Sequence, residues 1–482
     1  MLIKIFKITL VPYFYSTALA TALLPLSAHA ADLLQVYEMA RNGDPQLSAA
    51  ESTRLYDKEG AVQARAALLP QINGQAQLSR TRTEADHDAN SGTVTSKRRN
   101  YTIDGSQTLF NWTQINNLRS QRELSKAADF TLDSANDNLI VRTSAAYFNV
   151  LVAIESLNAA KTNEEAAKKQ FDFADKRLEV GLAPITDVHE ARAQYDQARA
   201  NTIVSQNTLA DAYQALTELT GQPVTNLRGL PEDFRPEVPA NRGNLDQLVQ
   251  QATTQNPALK AQELKVGAAE AGVQAARGGH YPTLSLGGSW GKSATWGDSV
   301  GAGSLSPDAR TNSIGLTLSV PIFSGGATQS GVRQALAQRD IAQDGYEQQK
   351  RALDRNTRNA YQTLVAGISE VEARRLAVVS AQSAYDASQV GLEVGTRTVL
   401  DVIQNQRILF SAQLDYANAR YTFLQNRLLL SQAVGALDIA ELQDINRLLT
   451  QAAATPSTQA RAALTLSAAS VLRPTTPSCS IP

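Results

Sequence analysis

Four short segments of the chain alternate apolar residues with small polar residues. In the first of them, Ile72, Gly74, Ala76 and Leu78 share one face, and glutamine, asparagine and serine occupy the other. A period of two with a single apolar face predicts half-buried β-strands. We place these strands at about 70–83, 99–112, 282–294 and 310–323. The small polar face is of the kind that a water-filled lumen requires, although a soluble antiparallel sheet packed on a helix has the same pattern.

Two very long helical patterns favour the first of these readings. Residues 113–180 contain neither glycine nor proline over 68 positions, which corresponds to about 100 Å of helix. A stretch of similar length follows at about 328–394, and shorter helices are predicted at about 186–220 and 398–434. Helices of this length extend far beyond a four-stranded sheet. They must therefore pack against one another, and the small residues on their heptad positions permit close approach.

The chain consists of two copies of one unit. Equivalent residues recur at an offset of 212 to 214 positions: Pro45 and Pro257, Pro70 and Pro282, Phe110 and Phe323, Gly181 and Gly395, Gly221 and Gly435. Such regular spacing predicts an internal duplication, with a first repeat at 31–240 and a second at 241–445. Residues 446–482, rich in alanine, serine, threonine and proline, are predicted to form a disordered tail.

The first thirty residues read as a secretory signal peptide. Lys4 and Lys7 precede a mostly apolar run, and Ser27-Ala28-His29-Ala30 ends in a small-residue cleavage pattern. The only cysteine, Cys479, excludes an intrachain disulfide, and no cysteine follows the cleavage site to carry a lipid anchor. The net charge of −1 gives no indication of nucleic acid binding.

The sequence offers no catalytic or cofactor-binding constellation. The histidines that follow the predicted signal peptide, His87, His189 and His280, are scattered without metal-ligand spacing, and no phosphate-binding glycine motif is present. We therefore expect neither an enzyme nor a protein with a metal or cofactor of its own.

Four strands cannot close a barrel by themselves. An open sheet edge is not stable in hydrocarbon, because its unpaired amides have no water to bind. The smallest bacterial barrels have about eight strands. If the strands lie in a membrane, the sequence therefore predicts an oligomer to which each chain contributes four strands.

Two similar segments separate each long helix from the shorter helix that follows. They are "EVGLAPITDV" at 179–188 and "EVGTRTVLDV" at 393–402. Gly181 and Gly395 suit the left-handed position that ends a helix, and Pro184 suits the first position of the next one. Thr398 stands three residues before Asp401, which is a capping-box spacing. An aspartate in a first helical turn is already favoured by the helix dipole, so its position alone implies no further role.

These features together resemble the TolC-like outer-membrane efflux proteins, also called the outer-membrane factor family. The resemblance rests on the duplicated plan, on the tip sequences "VGLAPITDVHEARAQYD" and "VGTRTVLDVIQNQ", and on "YANARYTFLQNRLLL" at 416–430. The resemblance extends to about residue 445. Because no cysteine follows the predicted cleavage site, the chain resembles the non-lipidated TolC branch of the family.

The resemblance implies a mainly α fold with membrane β-strands. In such a homotrimer, four strands per chain form a shared twelve-stranded outer-membrane barrel that continues into a periplasmic α-helical barrel. It further implies contact with outer-membrane lipid, a periplasmic adaptor protein and an inner-membrane pump of the RND or ABC type. The expected function is the export of small molecules such as drugs and toxins.

By the same resemblance, the helix-hairpin tips form a periplasmic gate. Asp401 occupies the position of an acidic ring that faces the lumen, where three carboxylates would attract cations. Thr186, Asp187 and Arg397 match positions that lock neighbouring coiled coils together. The chain departs from the family at Gln404, where a second acidic ring is expected, and at Leu392, where a tyrosine assists the lock.

Two alternatives remain open from the sequence. The same fold supports an outer-membrane channel of a type I protein-secretion system. A different class is a secreted structural coiled coil, such as an adhesin or a tether. That class would not need four alternating strands shared between two duplicated halves.

Overall fold

The computed structural model describes residues 31–84, 93–231, 233–237, 244–297 and 308–452. The first half contains α1 (Leu33–Gly43), α2 (Pro45–Ala66), β1 (Gln71–Glu84), β2 (Thr93–Phe110), α3 (Trp112–Glu179), α4 (Ile185–Thr220) and β3 (Arg228–Gly229). The second contains α5 (Leu245–Gln255), α6 (Pro257–Arg277), β4 (Thr283–Gly297), β5 (Ala309–Ser319), α7 (Ala327–Glu393), α8 (Val399–Val434), α9 (Ile439–Leu448) and β6 (Gln451–Ala452). The predicted signal peptide, 1–30, lies outside the described residues.

The same order of two helices, two strands, one very long helix and one shorter helix occurs in both halves. The long helices have 68 and 67 residues, and the helices that follow them have 36 residues each. Short connections, at 180–184 and 394–398, place the end of each long helix next to the start of the helix that follows, so that α3 and α4, and likewise α7 and α8, form antiparallel hairpins.

The four longer strands form one antiparallel sheet in the order β1-β2-β4-β5. β5 ends at Ser319 rather than at the predicted 323, because Pro321 has no amide hydrogen to donate to a neighbouring strand. β2 begins at Thr93 rather than at the predicted 99, and its residues 97–99 pair with both β1 and β4. Residues 97 and 98 are charged and fall before the predicted strand, yet the strand ladder continues through them.

The main hydrophobic core lies where α3 meets its neighbours. α3 packs against α2, α4, α6 and α8, and Leu139, Val150 and Leu157 on it are buried. One 18-residue stretch of α3 is apolar enough to cross a membrane by composition, but 56% of it is buried inside the protein. That burial is typical of a core helix.

A second, two-stranded sheet joins distant parts of the chain. β3 pairs antiparallel with β6, and Ala31 forms a bridge to Leu227 beside β3. The Tyr147 hydroxyl of α3 donates a hydrogen bond to the backbone oxygen of Arg228, at 2.7 Å, and lies 3.2 Å from the backbone oxygen of Ala31. The start, the middle and the end of the described chain therefore meet beside α3.

The prediction that the disordered tail begins at 446 is wrong for its first residues. α9 continues to Leu448, and Leu442, Ile445 and Leu449 are at most 1% exposed. Burial of these apolar side chains, together with the pairing of β6, holds this segment on the core. Residues 453–482 lie outside the described residues.

Candidate gate at the helix-hairpin tips

Both long helices end in the same hydrogen-bonded motif. The amide of Gly181 donates to the carbonyl of Leu178, and the amide of the next residue donates to the carbonyl of Arg177. The same two bonds recur from Gly395 to Leu392 and from Thr396 to Gly391. Both glycines have positive φ angles, of 73° and 78°, as this helix-terminating motif requires. The left-handed conformation predicted for the two glycines is therefore present.

The helices that follow the two glycines begin differently. Thr398 is the N-cap of α8 and forms a capping box with Asp401, as its spacing predicts. Pro184 is the N-cap of α4, not its first helical residue as predicted, and it provides no side-chain cap. Asp187 and Asp401 both stand three residues after their N-cap. Because proline has neither an amide hydrogen nor a hydroxyl, only Asp401 has a capping partner.

The cap holds Asp401 in its charged form. Its Oδ2 accepts hydrogen bonds from the backbone amide and the hydroxyl of Thr398, both at 2.9 Å. The Arg397 guanidinium lies 4.0 Å from the other carboxylate oxygen. These hydrogen bonds, and secondarily the charge of Arg397, lower the pKa of Asp401 below its usual value. The side chain is 40% exposed, so a fixed negative charge is available at this tip.

Arg397 lies over its own hairpin. Its amide donates to the Gly391 carbonyl at 3.1 Å, and its side chain runs so close to Gly391 that a Cβ built there would lie 2.6 Å from Arg397 Cγ. Within the described parts of the chain, neither Asp187 nor the exposed Thr186 is joined to Arg397, and Asp187 forms no ion pair. The expected lock is therefore not a contact within one chain.

Leu392 and Gln404 occupy contrasting positions at the second tip. Leu392 is 7% exposed and packs with Val399, Val402 and Ile403 between α7 and α8. Gln404 is exposed. Leu392 thus stabilises its own hairpin, and Gln404 presents an amide to solvent one turn beyond Asp401.

One buried polar contact between the hairpins was not predicted from the sequence. Gln406 of α8 donates from Nε2 to Oδ1 of Asn163 on α3 at 2.7 Å, and to the Asn163 backbone oxygen at 3.0 Å. In the sequence, Gln406 falls between Val402 and Leu409 on the buried face of α8. A polar residue at an apolar position of a helix is the sequence signal that could have indicated this buried contact.

A groove of about 400 Å³ separates the two hairpins near the tips. It is lined by Phe173 and Gln170 of α3 and by Tyr385, Gln389 and Leu392 of α7, among others. In the described residues no cluster of histidine, cysteine or acidic side chains has the composition of a metal site. The tip arrangement can hold charge and form contacts between helices.

The chain thus combines two long helical hairpins with one small antiparallel sheet. The chain belongs to the outer membrane efflux protein family, whose sequence profile matches residues 36–222 and 248–436. It is therefore an outer-membrane protein of the efflux-channel type, and this family is one of ducts rather than of enzymes.

Individual relatives agree with this assignment. The chain is 34% identical to outer membrane protein TolC of Escherichia coli over 89% of its own length and 87% of the relative's. It is 27% identical to the alkaline protease secretion protein AprF of Pseudomonas aeruginosa over 87% and 88%. The CmeC outer membrane channel of Campylobacter jejuni has the same fold, with a TM-score of 0.70, 20% identity and coverage of 87% and 90%.

Proposed function

We propose that the protein is a passive export duct that three identical chains build together. The observation that carries this proposal is the sheet, whose outermost strands β1 and β5 each have one edge without a partner strand among the described residues. Three such sheets joined edge to edge would form a twelve-stranded barrel without open edges, as hydrocarbon requires. The two halves of the chain, with their matching element order, would act as internal repeats around that barrel.

In this arrangement the helical hairpins form a tunnel on the periplasmic side. Each long helix measures about 100 Å, so the tunnel would reach far from the membrane. The proposed partners are a periplasmic adaptor protein and an inner-membrane pump of the RND or ABC type. The pump would supply the energy, because the described part of this chain holds no nucleotide-binding or catalytic group.

The tips would form the gate of the tunnel. The Asp187 carboxylate has no ion-pair partner in its own chain, among the described residues, and is available to Arg397 of a neighbouring chain, with Thr186 as a hydrogen-bonding partner. Three copies of Asp401 would form one acidic ring at the tip, beneath the polar amides of Gln404. An exposed arginine–carboxylate pair contributes only about 0–1 kcal/mol, which suits a contact that must open for each cargo.

Small molecules such as drugs and toxins are the proposed cargo. A type I protein-secretion role is the second candidate, favoured by the similarity to a protein named for protease secretion. Membership of the efflux family favours a channel over an adhesin or a tether.

Conductance of the purified protein in a planar lipid bilayer tests the duct. A cation-selective current that rises in equal steps, one step for each inserted trimer, would support the duct. A tether would pass no ions. Cargo is tested separately in a strain that lacks the gene. Restored drug resistance without restored protease secretion would assign small-molecule export, and the reverse would assign protein secretion.

A further inference from the structure

Cationic side chains cluster on one face of the sheet, at the ends of the strands that lie farthest from the helices. Residues that pair directly across antiparallel strands point to the same face. The registers therefore place six cations on the face that carries Ile72 and Leu78, here called the basic band: Arg80, Arg82, Lys97, Arg99, Lys292 and Arg310. Only Glu84 and Asp308 oppose them on this face among the described strand residues and the residue before β5.

The opposite face is nearly uncharged. It carries serine, threonine, glutamine, asparagine and glycine, and Arg98 and Asp104 are its only charged residues in the described strands. In the proposed barrel this polar face lines the lumen. The basic band therefore lies on the lipid side, where charge is least expected.

Nearby acids leave half of the band without a partner. Asp308 lies 3.5 Å from Arg99 and 3.3 Å from Lys292, and Arg82 pairs with Glu84. The other three members, Arg80, Lys97 and Arg310, form no ion pair within the described residues.

Two cross-strand pairs within the band join like charges. Arg80 stands directly opposite Lys97, and Lys292 stands directly opposite Arg310. Like charges at directly opposed positions destabilise a sheet. An anion bound between such cations would offset their repulsion through charge-assisted hydrogen bonds.

The residues around the band place it at the boundary between hydrocarbon and water. The Arg99 guanidinium lies 5.9 Å from the Tyr101 ring and 6.0 Å from the Trp296 ring, and these rings are of the kind that gathers at membrane interfaces. Towards the helices the same face is apolar, with Ile103 and Leu316 exposed. Cations on a lipid-facing strand are costly at the midplane of a membrane and tolerated at its interfaces.

The connections of the strands decide which interface this is. β1 follows α2, and β2 leads through Asn111 into α3, so the basic band is at the end remote from the helices. If the helices extend into the periplasm, as proposed above, the band faces the outer leaflet. Guanidinium and ammonium groups bind phosphate through charge-assisted hydrogen bonds.

We propose that the basic band binds the phosphate groups of a phosphorylated glycolipid in the outer leaflet, as found in the lipid A part of lipopolysaccharide. This inference rests on the proposed placement of the sheet in the outer membrane. In a trimer, the edges of neighbouring sheets would bring Arg310 of one chain towards Arg80 of the next, so that lipid phosphates would also bridge the joints between chains.

Binding of purified lipid A to the full-length protein tests the proposal, with native mass spectrometry as the readout. The test variant carries Arg80→Gln, Lys97→Gln and Arg310→Gln, and the matched control carries Arg98→Gln on the polar face. Because each basic residue near an anionic surface strengthens binding by roughly fivefold, the triple variant should bind diphosphorylated lipid A on the order of a hundredfold more weakly. The control should bind as the wild type does.

Three further measurements decide the interpretation. Enzymatically dephosphorylated lipid A should bind the wild type as weakly as the triple variant binds the natural lipid. A variant with Arg80→Lys and Arg310→Lys, which keeps the charge, should retain binding. Competition by millimolar inorganic phosphate would assign the band to free anions and contradict the proposed glycolipid ligand. Equal binding of lipid A by the wild type and the triple variant would also contradict the proposal.

Insertion into phosphatidylcholine vesicles separates this inference from the proposed function. A protein that does not insert at all would contradict the placement of the sheet in a membrane. A protein that inserts and conducts, but whose triple variant binds lipid A undiminished, would contradict only the lipid assignment.

Discussion

The Gln406 amide donates to the side-chain oxygen of Asn163 at 2.7 Å and so joins the two helical hairpins of one chain. Both residues are buried, at 4% and 7% exposure. The contact lies roughly 12 Å along α8 from the cap at Thr398. It therefore fixes the second hairpin to the first just inside the proposed gate.

Replacement of Gln406 by alanine should loosen this gate. A buried hydrogen bond of this kind contributes about 0.5–1.5 kcal/mol, so Gln406→Ala should raise the resting conductance of single channels in a planar bilayer. The matched control is Gln432→Ala, which removes another α8–α3 amide contact, to Asn138 at 2.8 Å, far from the tip. Equal effects of the two substitutions would show that the position near the tip has no special importance.

Removal of the Arg397 side chain should open the closed channel. If Arg397 bridges to Asp187 of a neighbouring chain, Arg397→Ser should increase resting conductance. Arg192→Ser, which removes an exposed arginine near the first tip with a partner at i+4, should leave conductance unchanged. A channel as tightly closed as the wild type would exclude Arg397 from the lock.

Neutralisation of Asp401 should weaken block by divalent cations. Three carboxylates in one constriction attract such ions, and Asp401→Asn removes all three while leaving the side-chain volume nearly unchanged. Block is measured as the decrease in single-channel current on addition of divalent ions. Asp187→Asn should instead raise resting conductance and preserve block, because Asp187 is assigned to the lock.

The cation block should also persist at acid pH. The pKa of Asp401 is lowered from its ordinary value of 3.8, so the negative charge is retained above that value and lost only as pH falls through a lower range. Thr398→Val removes the hydroxyl and keeps the backbone donor. It should raise the pKa part of the way back, and a titration of block should therefore show its loss at a higher pH than in the wild type.

Asp137 should make the stability of the protein fall as pH rises. Burial, and then the charge of Asp133, raises the pKa of Asp137 to about 7. The folded protein therefore holds a proton that the unfolded chain releases near pH 4, and stability declines as pH rises from about 4 to 7. Thermal denaturation of Asp137→Asn should lack this part of the pH dependence.

Asp133→Asn serves as the comparison, because removal of the neighbouring charge should lower the folded-state pKa of Asp137, so that the decline ends at a lower pH and its total size is smaller. Identical pH profiles for wild type and Asp137→Asn would assign the pH dependence to other groups. Tyr37 of α1 lies close enough to Asp137 for the charge of Asp137 to help raise the pKa of the tyrosine.

The helices and strands were largely predictable, because each has one strong period. The uninterrupted run of α3 and the glycines at 181 and 395 fix the hairpins from sequence alone. The start of β2 was placed too late, because the charged residues 97 and 98 have no apolar alternation, whereas ladder hydrogen bonds continue wherever a partner strand is present. The segment around Ile445 was missed because its apolar period lasts less than three turns.

At the tips, local features were predictable from the sequence, whereas contacts between distant residues were not. The capping box at Thr398 and Asp401 is a local pattern of four residues and was readable. The contact of Gln406 with Asn163 joins positions 243 residues apart, and no local period encodes that pairing. The close approach of Arg397 to Gly391 depends on the path of the turn between them.

The small sheet beside Tyr147 has a consequence for the order in which the molecule is made. β3 needs β6, its partner more than two hundred residues later in the chain, and contacts of such separation form late because a long loop must first close. The chain therefore cannot complete this junction until nearly all of it has been synthesised and delivered across the inner membrane. A protomer truncated before residue 451 would lack β6 and would leave β3 without its partner strand.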